Sequence, residues 1–237
     1  MSGAEWKKVV SRLGAEFAIV VLGVTIALWA DGWVADRGNR SKADAMLEAL
    51  LVNIDGTLED LNRSIDNASG AVDALRNLAT PAGQDVSQAE HYGHMFYGLL
   101  YGPDFEAELN VYDDLKSSGE LALLTTPGVR QSLARMDAQL RRVKQMERDV
   151  IAVMTSNIDL YLVDNLDMRT IYQDELGVTF DMANVSGNRD YLDDPGFRNR
   201  ILLKLDVVLY LIKEYEDMQG RLQEARNTIV TQLGARN

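Results

Sequence analysis

His91 and His94 are the only histidines, in a chain of 237 residues without cysteine. Three positions apart, they can share a helical face, with Glu90 beside them. They are the nearest approach to a metal-ligand set, but no third imidazole or thiolate exists to complete a usual site. They read as structural or surface imidazoles. Without cysteine there are no disulfides, thiolate metal sites, covalent haem attachment or cysteine nucleophiles. The acidic pairs Asp113/Asp114, Asp174/Glu175 and Asp193/Asp194 are sequence neighbours. Adjacent side chains on a helix do not face each other, so these are poor acid–base pairs. The stretch 184–194 is rich in oxygen ligands but departs from the EF-hand spacing and reads as a solvated loop. No G-x-S-x-G, Walker or G-x-G-x-x-G sequence occurs. We therefore expect no enzyme, no cofactor, no metal and no catalytic residue.

Charge is distributed unevenly. Residues 1–42 hold Lys7, Lys8, Arg12, Arg37, Arg40 and Lys42 against Glu5, Glu16, Asp31 and Asp36, a net of +2 in a chain of −12, so the remainder carries −14. The basic part suits anionic headgroups, and the acidic part would be repelled by nucleic acid. Between the basic clusters, Phe17 to Ala30 carries no charge, and its one polar side chain is Thr25. Leu13 to Val34 is about 22 residues, or ~33 Å of helix, enough for a hydrocarbon core. All the tryptophans flank it: Trp6 before, Trp29 and Trp33 at its end. Their ~40 Å span along a helix matches a bilayer from headgroup to headgroup, where tryptophan prefers to sit. The expected organisation is a basic tail (1–12), a transmembrane helix (13–35) and an acidic domain (36–237). A cleaved signal peptide fits less well, because Leu28 or Trp33 stands where a small residue is wanted. Basic residues number three on each side, so orientation rests on the short basic tail staying inside. That leaves the domain outside, which in a bacterium means periplasmic on the inner membrane. Within the span, Gly23, Ala27 and Ala30 share a face with Glu16, and small residues at this spacing let another helix approach.

The domain reads as all-α. The stripe Ala43, Leu47, Leu50, Ile54, Leu58, Leu61, Ile65, Ala68, Val72, Leu75 predicts a helix over 41–79, close to a heptad pattern. It could continue directly from the anchor, with Gly32 and Gly38 as points of bending. Thr126-Pro127, an N-cap followed by Pro at the first helical position, opens a second helix to about Met168, with the stripe Val129, Leu133, Met136, Leu140, Val143, Met146, Val150, Val153, Ile158, Tyr161 and with Arg141, Arg142, Lys144, Glu147, Arg148 and Asp149 on a solvated face. Asp194-Pro195 repeats the cap signal and opens a third to about Leu233, with the stripe Phe197, Ile201, Leu205, Val208, Leu211, Tyr215, Met218, Leu222, Ala225, Ile229, Leu233. Each stripe must be buried, so the expectation is an elongated antiparallel bundle of about three long helices. Short connections would join them: a loop at 80–87, an aromatic-rich helix at 89–101 and an irregular stretch at 178–193. Ser117-Ser118-Gly119 reads as a turn, with Leu121, Leu123 and Leu124 packing back and Arg130 in reach of Asp113, Asp114 or Glu120.

Two pieces of this sequence resemble an uncharacterised family of bacterial single-pass membrane proteins. One is Gly14-Ala15-Glu16 through Gly23-Val24-Thr25-Ile26-Ala27-Leu28, followed by Trp33; the other is Tyr112-Asp113-Asp114-Leu115-Lys116-Ser117-Ser118-Gly119-Glu120-Leu121. After Leu28 the chain departs from the pattern, with Trp29-Ala30-Asp31-Gly32 where Gln and Asn are usual. The resemblance implies an anchor and a bacterial setting, and brings no catalytic residue. The function expected is a non-enzymatic accessory or structural subunit of a larger membrane complex, respiratory or photosynthetic, with lipid and basic protein surfaces as partners. The alternative is a membrane-anchored sensor that reads a ligand in its bundle.

Overall fold

A computed structural model describes residues 3–79, 95–124, 126–169, 179 and 194–235; before Arg37, Thr25 is the only side chain described. Helix α1 spans Gly3–Ala79, 77 residues and ~115 Å without a break. The backbone of the expected span and the first bundle stripe therefore belong to one helix, and neither Gly32 nor Gly38 interrupts it. From Arg37 to Lys42 every side chain is exposed, and burial begins at Ala43. Among the described residues no helix is long and apolar enough to cross a membrane. The side chains of Trp6, Glu16, Gly23, Ala27, Trp29, Ala30 and Trp33 lie outside the described residues.

Helix α2 covers Asn110–Ser118, α3 Pro127–Val153, α4 Asp159–Asn165 and α5 Pro195–Gly234. The described residues contain no strand. The predicted stripes are the core: Leu47, Leu50, Ile54 and Leu61 of α1, Val129, Met136, Val143 and Val150 of α3, and Ile201, Val208, Leu211, Met218 and Leu222 of α5 are all essentially inaccessible. The second predicted helix is not continuous. A π turn at Met154–Ile158 separates α3 from α4, and the helix ends at Asn165 rather than near Met168. The cause is legible in the spacing, since the stripe steps by five from Val153 to Ile158. One widened turn absorbs the extra residue and keeps Ile158 and Leu162 on the core.

Cross-links fix the helix directions. Gln219 donates to Asn62 at 2.6 Å and Arg226 pairs with Asp55 at 2.6 Å, so α5 runs antiparallel to α1. Arg135 meets Glu224 at 2.6 Å and Tyr215 meets Glu147 at 2.9 Å, so α5 is antiparallel to α3 as well. Two parallel helices thus flank a central antiparallel one. The fourth corner is filled by the return connection. A π turn at Met95–Leu99 lies against α1, where a Cβ on Gly98 would sit 3.1 Å from the Leu75 nitrogen. Residues 101–109 then run without helix down α1: Asn67 donates to Asp104 at 3.2 Å, and the Val111 N–H donates to Asn53 at 3.0 Å. Extended chain covers ~3.3 Å per residue against 1.5 Å for a helix, so a short segment retraces several turns of α1.

Gly119 ends α2 at φ +76°, the left-handed cap expected of the Ser-Ser-Gly turn. Leu124 is buried, with Leu121 and Leu123 packed on the core. Two local expectations fail. Thr126 makes no side-chain cap on α3, whereas Asp194 caps α5 by accepting from Gly196 N at 3.0 Å and Phe197 N at 3.2 Å. Arg130 does not pair with the acids of the turn, because Lys42 of α1 takes Glu120.

Candidate functional site

The residues most at odds with a simple bundle form a buried polar layer where the extended segment crosses α3 and α5. Lys204 lies on the core face of α5 and has no exposed surface. Its ammonium donates to the Tyr101 carbonyl oxygen at 2.7 Å and stands 5.9 Å from the centre of the Tyr101 ring. Lys144 of α3 donates to the Phe105 carbonyl, lies 5.1 Å from that ring's centre and pairs with Glu147 at 2.9 Å. The other Glu147 oxygen accepts from the Tyr215 hydroxyl at 2.9 Å. Tyr215 meets the Phe105 ring edge-on at 5.7 Å. An extended segment with no sheet neighbour leaves its carbonyls orphaned, and here two lysines supply the missing donors.

The chemistry of the layer follows from burial. Loss of hydration pushes Lys204 down to about 8, with Asp159 opposing weakly. Burial, then the Glu147 charge, push the Tyr215 phenol far above its ordinary value. Tyr101 is raised by burial, then by Asp104 and Glu147. A lysine of lowered pKa suggests a nucleophile, but Lys204 presents no surface to a solute, and the layer is a structural clamp.

Glu147 was expected on a solvated face and is 7% exposed. Arg141, Arg142, Arg148 and Asp149 are exposed as expected, and Lys144 is half-buried. The helical period alone could have flagged both clamp residues: Lys204 falls between Ile201 and Val208, and Glu147 between Val143 and Val150, at stripe spacing. Of the chemical candidates, Asp113 and Asp114 are exposed and bring nothing together. Glu90, His91, His94, Asp174, Glu175 and the 184–193 loop lie outside the described residues. Among the described residues no group of acids, histidines or cysteines is placed to hold a metal ion.

The surface adds an acidic cleft and an apolar face. An acidic cleft of about 400 Å³ opens between α1 and the extended segment, lined by Asp60, Asp66, Asp104 and Glu106 with Arg63, Ser64 and Asn67. Far from the exposed basic turn of α1, the outer face of α5 shows Leu202, Leu203, Leu209 and Tyr210 to solvent, at heptad spacing on the side opposite the core. No family model, curated protein or solved structure matches this chain.

Proposed function

We propose that this chain is a single-pass, membrane-anchored accessory subunit that organises a larger bacterial membrane complex. The observation that carries the reading is the unbroken α1, which puts the apolar run 13–34 and the first core stripe on one rod. A continuous helix transmits position and rotation between a bilayer and a bundle, which a flexible linker does not. The exposed stretch 37–42, with Arg37, Arg40 and Lys42, falls where anionic headgroups would meet it. In this reading Leu13–Val34 spans the lipid, Trp6, Trp29 and Trp33 sit at its surfaces, and the Glu16, Gly23, Ala27, Ala30 face meets a partner helix. The bundle is periplasmic. Its acidic cleft suits a basic partner, and the apolar outer face of α5 suits a protein surface. The likeness to single-pass bacterial proteins in the anchor and the Tyr112–Leu121 block agrees with this assignment.

Gentle detergent extraction from the native membrane, followed by identification of what stays bound, tests it. Stoichiometric membrane proteins are expected. Release of the chain by carbonate washing, or purification alone under every mild detergent, would overturn it.

A further inference from the structure

We propose that a cleft between the start of α3 and the last turns of α5 binds an uncharged, extended polypeptide segment through the side-chain amide of Gln232. The cleft measures about 560 Å³ and is lined by Thr126, Asn227, Thr228, Thr231, Gln232 and Ala235. Gln232 is 8% exposed, and both its amide nitrogen and its amide oxygen are buried without a hydrogen-bond partner. A buried carboxamide bare on both ends is rare, because each unmade bond leaves a desolvated group uncompensated.

The lining selects the ligand. From Asn227 to Ala235 the chain has no charged residue, although a quarter of the protein is charged, so an ion has no counter-charge here. The hydroxyls of Thr228 and Thr231 are committed to the carbonyls of Glu224 and Asn227, at 2.7 and 2.8 Å. These threonines therefore offer the cleft their methyl groups and no free donor. The uncommitted polar groups of the lining side chains are the Thr126 hydroxyl and two carboxamides: Asn227, exposed at the rim, and Gln232 below it. A carboxamide presents one donor and one acceptor side by side. In an extended peptide the N–H and C=O of one residue point to the same edge and match that pair, and small uncharged side chains suit the methyl walls. The inference rests on the accessory-subunit reading and makes the partner's contact a backbone contact.

The test uses the full chain in detergent micelles, labelled with ¹⁵N at glutamine side chains, and titrated with N-acetyl-trialanine N-methylamide. The Gln232 amide signals should shift saturably while those of Gln139, already bonded to Glu214 at 2.7 Å, stay fixed. Gln232→Leu should abolish binding and, with no peptide present, raise the melting temperature by removing the unpaired amide. Absence of a saturable shift overturns the inference, as does a fall in melting temperature for Gln232→Leu. Co-purification of wild type from native membranes reports separately on the accessory role. Wild type that retains its partners yet ignores the peptide sinks this site alone.

Discussion

The buried ammonium of Lys204 donates to the backbone carbonyl of Tyr101 at 2.7 Å, across 103 positions of sequence. The bond ties α5 to the segment that closes the fourth corner of the bundle. Its charge has no exposed surface, so the bond also makes stability depend on pH.

Lys204 holds its proton to about 8 when folded and to 10.5 when unfolded. Between these values the unfolded chain binds more protons, so folding gains stability as pH rises from 8 towards 10.5. The gain approaches about 3 kcal/mol. Lys204→Met has no such proton to lose. Thermal unfolding of both proteins at pH 7.5 and 10 should show the stability difference shifting towards wild type by that order as pH rises; a constant difference would contradict the clamp.

Glu147 satisfies the Tyr215 hydroxyl and Lys144 together. Glu147→Ala strands both and leaves a cavity, and should lower unfolding free energy by about 3 kcal/mol in urea titration. Glu147→Gln keeps an acceptor for Tyr215 and should lose clearly less. Equal losses would mean the hydrogen bonds contribute nothing.

Gly119 sits at φ +76°, and a Cβ added there meets open space. The penalty of Gly119→Ala is therefore backbone strain alone, about 1–2 kcal/mol. Gly119→Asn, which tolerates left-handed geometry better, should fall between the two in a chemical denaturation series.

Asp194 is held below its ordinary pKa first by the Tyr161 hydroxyl, then by the Gly196 and Phe197 amides. Its contribution is present above the ordinary carboxylate value of 3.8 and is lost as pH falls through the lower folded value. Asp194→Asn keeps a capping oxygen but does not titrate, so its melting temperature should decline less than wild type below pH 4. Parallel acid titrations of the two melting temperatures would refute this.

The stripes of α1, α3 and α5 were legible because burial of an apolar face imposes the helical period on residue choice. Pro127, Pro195 and Gly119 marked ends for reasons local to the backbone. Asp194 and Thr126 look alike in sequence, yet one caps and the other does not, since a cap depends on a rotamer that packing selects. The bare amide of Gln232 carries no sequence mark.

Residue types at short spacing were enough to set the helical character of the chain, its apolar faces and the position of the charge-free run. Only the folded chain decided which groups Lys204 and Glu147 meet, and that residues 101–109 replace a fourth helix. Those outcomes depend on groups far apart in the chain: a carbonyl at Tyr101 needs a donor, and although the helical period puts Lys204 on the core face of α5, nothing local to α5 names that carbonyl as its partner.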